Sequence, residues 1–116
     1  MADLPIVIIG SGFGGVCLAI RLKKSSIENF VILERAKDIG GVWRDNSYPG
    51  CACDVPSVYY SYSFEQDYPW SAWHAPWNEI LAYIKHCATK YDVTKHIRLD
   101  ASVASARFDE ARAIWK

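Results

Sequence analysis

The fold is decided by residues 6–15, which read IVIIGSGFGG. Four β-branched residues followed by Gly10 predict a strand that is covered on both faces in a parallel sheet. From Gly10 to Gly15 the sequence fits G-x-G-x-x-G, which joins a strand to a helix where a dinucleotide binds. In this pattern Gly10 permits a tight turn, Gly12 lets the backbone approach a pyrophosphate, and Gly15 lets the helix pack against the strand. The helix N-terminus then offers unpaired N–H groups to the phosphates.

The residues after this motif extend the pattern to a β-α-β unit. Residues 16–24 predict a helix, and residues 30–33 predict a second buried strand. This alternation predicts an α/β fold of the Rossmann type with a parallel sheet. Further along we predict an irregular loop over residues 38–77, a helix capped by Asn78 and running to about Tyr91, strands at 97–99 and 103–108, a turn at 109–112, and a strand starting at Ala113.

Length and charge exclude several classes of function. The chain has 116 residues, enough for one domain, and 13 Lys and Arg balance 13 Asp and Glu. No basic block would attract nucleic acid or an anionic membrane surface, so we expect neither as a partner. The first residues lack the basic start and long apolar run of a signal sequence, so we expect a cytoplasmic protein. The cysteines, predicted to be reduced thiols, show no metal-ligand spacing, and we expect no metal site.

A carboxylate follows the second strand at the place where the ribose of a dinucleotide would bind. Glu34 lies 19 positions after Gly15 and can accept a hydrogen bond from a ribose 2′-hydroxyl. A 2′-phosphate there would be repelled, so the first nucleotide is predicted to belong to FAD or NAD rather than NADP. The alternative is a surface Glu34 paired with Arg35 or Lys37.

A second pair of glycines bears on the choice between flavin and nicotinamide. Gly40 and Gly41 allow another close backbone approach, which a long dinucleotide with a buried isoalloxazine can use. Val42 and Trp43 follow, and Trp43 would supply an aromatic wall. The alternative is a Gly-Gly turn beside a tryptophan of the core.

The segment from Gly40 to Phe64 resembles a known family. It reads GGVWRDNSYPGCACDVPSVYYSYSF and is similar to the FAD domain of Baeyer-Villiger monooxygenases, which are class B flavoprotein monooxygenases like the flavin-containing monooxygenases. The resemblance continues through Trp70-Ser71, residues 79–83 and residues 108–110, so it covers essentially the whole chain. Its most specific part is Tyr-Pro-Gly-x-x-Cys-Asp-Val, residues 48–55.

This resemblance implies a chemistry and a set of site residues. A flavin reduced by NADPH would react with oxygen to form a C4a-peroxyflavin, which attacks a ketone and gives an ester or lactone. FAD, NADPH, O2 and a small-molecule ketone are therefore the expected cofactors and partners. By resemblance, Asp54 is a catalytic aspartate near the flavin that orients an arginine from a later segment, Tyr60 contacts the flavin, and Val103 lies beside the adenine. The implied cofactor-binding residues are Gly10, Gly12, Phe13, Gly14, Gly15, Glu34, Arg35, Gly41, Val42, Trp43, Asp54, Tyr60 and Val103.

The residues alone also favour a role for Asp54. It lies between Cys53 and Val55 in an uncharged loop, where a buried carboxylate would need an arginine to offset its desolvation. The alternative is an Asx-turn that holds the loop.

Departures from the family pattern limit what residues 1–116 are expected to do alone. Ala52 stands where family members often carry an arginine before the Cys-Asp pair. A second glycine motif for NADPH is absent, so we expect the N-terminal portion of an FAD-binding domain, without the NADPH-binding domain and inactive by itself. The alternatives are an N-hydroxylating or disulfide reductase-like flavoprotein, and a catalytically silent dinucleotide-binding or interaction module.

Overall fold

The structure, a computed structural model, describes residues 4–116. Residues 1–3, which belong to the stretch where we expect no signal sequence, lie outside the described residues. The elements in chain order are β1 (Ile6–Ile9), α1 (Phe13–Lys24), β2 (Phe30–Leu33), α2 (Val42–Asp45), α3 (Trp77–Lys90), a 3₁₀ helix (Thr94–His96), β3 (Ile97–Arg98), β4 (Phe108–Asp109) and β5 (Ile114–Trp115). Every helix in this described part is too short or too polar to span a bilayer.

Three parallel strands form the sheet that carries the site. β1 pairs with β2 over their whole length, with Ile6 opposite Phe30 and Ile9 opposite Leu33, and β2 pairs with β3. The strand order is β1-β2-β3, and α1 connects the first two strands as a β-α-β unit. The predicted α/β fold of the Rossmann type is confirmed, as are the bounds of the first two strands.

The helices cover one face of this sheet. Ile8 of β1 is buried in the same core cluster as Val16 and Ile20 of α1. Because side chains alternate along a strand, Val7 and Ile9 point to the other face, where they are 51% and 65% exposed. The prediction that β1 is covered on both faces is therefore wrong for the described residues, since their helical layer packs on one side only.

α1 is seated directly against the turn that follows β1. It begins at Phe13, before the predicted start at Val16, and ends at Lys24 as predicted. A Cβ added to Gly15 would lie 2.0 Å from the carbonyl oxygen of Gly10. Any side chain at Gly15 would push the helix away from β1, so the predicted packing role of this glycine is confirmed.

The long segment between β2 and α3 is irregular apart from α2, in agreement with the prediction for residues 38–77. A buried tyrosine fixes it to α3, because the Tyr83 hydroxyl accepts from the N–H of Tyr62 and donates to the carbonyl of Glu65, both at 2.9 Å. The Tyr62 hydroxyl in turn donates to the carbonyl oxygen of Phe13 at 2.6 Å. The loop is thus attached to both α1 and α3.

α3 presents the predicted apolar face to the core. Ile80, Ile84 and Cys87 are each at most 1% exposed. The cap is different from the prediction, because Pro76 occupies the N-cap position with a φ of −70° and the helix begins at Trp77 rather than after Asn78. Proline is compatible with this place because its missing N–H is not needed by the first turn.

The C-terminal strands are shorter than predicted. We predict a strand over residues 103–108, whereas only β4 forms there, paired with β5 in an antiparallel hairpin. Backbone pairing begins at Arg107, which exchanges two hydrogen bonds with Lys116. Residues 103–106 have no neighbouring strand within the described chain, and a strand without a neighbour gains no ladder of hydrogen bonds.

Tyr83→Phe tests the attachment of the loop to α3. The change leaves the N–H of Tyr62 and the carbonyl of Glu65 without their buried partner, so we expect the free energy of unfolding to fall by about 2 kcal/mol. Urea denaturation followed by circular dichroism measures it. Tyr59→Phe is the matched control, because Tyr59 is 76% exposed and its loss of a hydroxyl should cost less than about 0.5 kcal/mol. Equal stabilities of the two variants would contradict the role given to Tyr83.

Candidate dinucleotide-binding site

A cavity of about 390 Å³ opens at the carboxyl ends of β1 and β2, where parallel sheets bind ligands. The predicted residues that line it are Gly10, Gly12, Glu34, Arg35, Gly41, Val42 and Val103. Its other lining residues are Ile9, Ser11, Leu33, Arg44, Asp45, Ala101 and Ser102. The fold therefore brings together two glycine loops, a carboxylate and the segment that follows β3.

The two glycine loops touch each other through their backbones. Gly41 has a φ of +57°, and a Cβ added to it would lie 3.0 Å from the Cα of Gly12. The N–H of Gly40 donates to the carbonyl of Ser11 at 3.0 Å. At Gly12, by contrast, φ is −77° and an added Cβ would meet Gly41 only at an ordinary 3.5 Å. Protein packing does not require a glycine at position 12, whereas the close approach of a phosphate to this backbone would require one.

The N-terminus of α1 faces the same cavity through Gly12, its N-cap residue. No side chain of residues 4–116 caps this end, and the first turn of the helix contains no acidic residue. The first N–H groups of a helix have no intrahelical acceptor and carry partial positive charge, so this end is suited to an anion. Gly14 lies in this turn and is exposed, with nothing within 4 Å of an added Cβ.

Glu34 is a buried carboxylate at the end of β2, with 3% of its surface exposed. Its Oε2 accepts the N–H of Ser11 at 2.9 Å and the hydroxyl of Ser11 at 2.6 Å, and its Oε1 accepts the N–H of Ala36 at 2.9 Å. Burial alone would raise the pKa of Glu34, but these hydrogen bonds and the nearby charge of Arg44 outweigh it and lower the pKa to about 2. The carboxylate is therefore negative at neutral pH.

Arg44 is the ionic partner of Glu34. Its Nη1 lies 3.4 Å from Oε1 of Glu34. Arg35 pairs with Asp45 instead of Glu34, and its Nη2 lies 3.8 Å from Oδ2 of Asp45. The alternative of a surface Glu34 paired with Arg35 or Lys37 is therefore wrong.

Sequence reasoning missed both Ser11 and Arg44 as site residues. Ser11 occupies a variable position of the glycine motif, so the motif carries no signal for it. Arg44 had a signal, since it places a positive charge directly after the apolar pair Val42 and Trp43. The sequence could not identify Glu34 as the partner of Arg44, because the two residues meet only through the turn at Gly40 and Gly41.

Phe13, Trp43 and Tyr60 form an aromatic cluster and do not themselves line the cavity. The indole N–H of Trp43 donates to the hydroxyl of Tyr60 at 3.0 Å, and the ring centroids of Phe13 and Tyr60 lie 4.7 Å apart. In the sequence, Phe13 follows Gly12 and Trp43 follows Val42, and both of these preceding residues line the cavity. Trp43 also packs against the core, as in the alternative interpretation of the second glycine pair.

Asp54 is exposed and does not line the cavity. Its neighbours Cys51 and Cys53 are buried free thiols. Within residues 4–116 no hydrogen bond or ion pair involves the Asp54 carboxylate, and none of the type expected for an Asx-turn is found. The prediction that Asp54 is a buried acceptor is therefore wrong for the described part of the chain.

Comparison with known proteins agrees with this geometry. The family described as NAD(P)-binding Rossmann-like domain matches residues 8–81. A Baeyer-Villiger monooxygenase from Streptomyces coelicolor is 45% identical to this chain, and the match covers 96% of the chain and 21% of that protein. The chain spans about a fifth of the length of the curated relatives it matches.

Two solved structures are similar in both sequence and fold. A structure described as oxidized steroid monooxygenase bound to NADP is 40% identical with a TM-score of 0.89, covering 95% of this chain and 22% of that one. OTEMO in complex with FAD and NADP is 32% identical with a TM-score of 0.89, covering 97% of this chain and 22% of that one. The resemblance predicted from residues 40–64 is confirmed.

Glu34→Gln tests the electrostatics of the cavity. Because the folded-state pKa of about 2 lies below the ordinary value of 4.5, ionised Glu34 stabilises the fold above about pH 5, and this contribution is lost as the pH falls toward 2. We expect the variant to be less stable by about 2 to 3 kcal/mol at pH 7 and nearly equal to the wild type near pH 2. Urea denaturation at several pH values measures the difference.

The exposed Glu110 provides the control, and Glu110→Gln should follow the wild-type stability at every pH. A stability loss in Glu34→Gln that is the same at pH 7 and near pH 2 would show that the charge of Glu34 is not what stabilises the fold.

Proposed function

Because the chain belongs to the family of NAD(P)-binding Rossmann-like domains, we propose that its cavity binds the adenosine and pyrophosphate of FAD. The observation that carries this proposal is the buried, ionised Glu34 beside the unobstructed backbone of Gly12. A carboxylate at the end of the second strand suits a ribose hydroxyl, and a glycine backbone at a helix N-terminus suits phosphates. The similarity to OTEMO, whose structure contains FAD and NADP, supports the assignment.

The first glycine loop is assigned to the pyrophosphate. Gly10, Gly12 and Gly14 keep the backbone free of side chains at the uncapped end of α1, and Gly15 holds that helix in place. The second loop contributes Gly41 to the lining of the cavity, in contact with the backbone of Gly12. Arg35 and Val103 also line it, with Val103 proposed beside the adenine.

Glu34 selects the type of nucleotide. Its carboxylate stays negative over the physiological pH range, so it would repel a 2′-phosphate and accept a hydrogen bond from a free 2′-hydroxyl. This property favours FAD over NADP in this cavity. NADPH is proposed to bind mostly outside residues 1–116.

The aromatic cluster and Val42 are assigned to the middle of the cofactor. Trp43 and Tyr60 hold each other through their hydrogen bond, and Phe13 packs against Tyr60. Rings fixed in this way would exclude water from one side of a bound flavin. The cluster therefore favours FAD over NAD, which has no isoalloxazine to cover.

We propose the same class of reaction for this protein as the name of the Streptomyces coelicolor relative states, a Baeyer-Villiger oxidation. Bound FAD would supply the redox chemistry, in which electrons from NADPH and an oxygen atom from O2 convert a ketone into an ester or lactone. Asp54 is proposed to orient an arginine from a later segment, for which its exposed carboxylate has acceptor positions that no group of residues 4–116 occupies. The free thiols suit a reducing compartment, so we propose the cytoplasm.

FAD uptake by the purified chain tests the proposal. We expect the visible spectrum of the chain mixed with FAD to show protein-bound flavin, and Gly12→Asp to weaken the affinity at least ~100-fold, because its carboxylate would occupy the place of the pyrophosphate. Titration with FAD, followed by flavin fluorescence, measures both affinities. NADPH added under air should leave the bound flavin oxidised, since the NADPH site is proposed outside this chain.

Asn78→Asp is the matched control, because it adds the same charge at an exposed position of α3. It should bind FAD as the wild type does. A folded wild-type chain that takes up no FAD would contradict the proposal and favour the catalytically silent module.

A further inference from the structure

Ser11 connects the three parts of the cavity. Its side chain is fully buried, and both its hydroxyl and its N–H donate to Oε2 of Glu34, at 2.6 and 2.9 Å. Its carbonyl oxygen accepts the N–H of Gly40 at 3.0 Å. One residue therefore joins the turn after β1, the end of β2 and the second glycine loop.

Within residues 4–116, the hydrogen bonds of Glu34 leave a single acceptor position open. A carboxylate has about four lone-pair sites, and Oε2 uses both of its sites for Ser11. Oε1 uses one site for the N–H of Ala36. Arg44 lies 3.4 Å from Oε1, close enough to contribute its charge but without a well-formed hydrogen bond. The remaining site is on Oε1.

We infer that Ser11 is a positioning residue, whose hydroxyl fixes the Glu34 carboxylate so that Oε1 alone is presented to the ribose of the bound nucleotide. This inference rests on the proposed binding of FAD in the cavity. Without the hydroxyl, Oε2 would keep only the backbone N–H and would gain a vacant acceptor position. The carboxylate could then rotate or accept from elsewhere, and its preference for a 2′-hydroxyl would decrease.

The nucleotides ADP and 2′-deoxy-ADP provide a readout that general destabilisation would not change. They differ only in the 2′-hydroxyl, from which Glu34 is proposed to accept a hydrogen bond. The ratio of their affinities therefore reports the position of the carboxylate. Competition against FAD, followed by flavin fluorescence, gives both dissociation constants. In the wild-type chain we expect ADP to bind ~10-fold or more tightly than 2′-deoxy-ADP, as for a hydrogen bond to a charged group.

Ser11→Ala should lower this ratio to about twofold, because the charge-assisted hydrogen bond that orients the acceptor is lost. Ser57→Ala is the matched control. Ser57 is 3% exposed, and its hydroxyl accepts the N–H of Ala75 at 3.0 Å and donates to the carbonyl of Trp73 at 3.1 Å, away from the cavity lining. This variant loses a comparable buried hydroxyl and should keep the wild-type ratio. Ser11→Cys, which fills similar space with a weak donor, gives the same measurement if the alanine variant does not fold.

A wild-type ratio retained in both Ser11 variants would overturn the positioning role while leaving FAD binding intact. A ratio that falls equally in Ser57→Ala would also overturn it, since the effect would then follow stability. If the folded wild type bound neither FAD nor ADP, the proposed function itself would fail. The two failures are therefore distinguished by the wild-type titration.

Discussion

The close approach of α1 to the end of β1 is the constraint on which the site depends. With a side chain at Gly15, a Cβ would lie 2.0 Å from the carbonyl oxygen of Gly10, so glycine alone permits this position of the helix. The seated helix fixes the intervening turn, and the turn places Ser11 against Glu34 at the end of the neighbouring strand. One packing contact thus determines both the orientation of the helix N-terminus and the hydrogen bonding of the carboxylate.

Aromatic packing extends this constraint to the long loop. Tyr62 and Tyr83 are 4% and 0% exposed, and burial raises the pKa of both phenols, so their hydroxyls remain donors. The Tyr62 hydroxyl reaches the Phe13 carbonyl in the first turn of α1. Ordering a loop of this length costs conformational entropy, which the buried rings and their hydrogen bonds offset. The same loop then supplies Tyr60 to the aromatic cluster that it forms with Phe13 and Trp43.

The parts of the structure that follow from local pattern could be predicted from the sequence. Runs of β-branched residues indicate β1 and β2, and the glycine spacing indicates the turn and the position of Glu34. Ser11 and Arg44 were missed because their roles depend on partners that only the folded chain brings near. Residues 103–106 show the same limit, since their apolar pattern favours a strand but does not supply the neighbour that a strand needs.

The strand β1 has one face buried against the helices and one face exposed. Its Val7 and Ile9 have the composition of an interior strand, yet they are exposed, and related monooxygenases are about five times as long as this chain. The hydrogen bonds that orient Glu34 do not involve that face, because within residues 4–116 they come from Ser11 and Ala36. Asp54 differs, since its carboxylate has no partner within residues 4–116. The orientation of Glu34 therefore relies on contacts made within residues 4–116. The role proposed for Asp54 requires an arginine, and the contacts within these residues include none to its carboxylate.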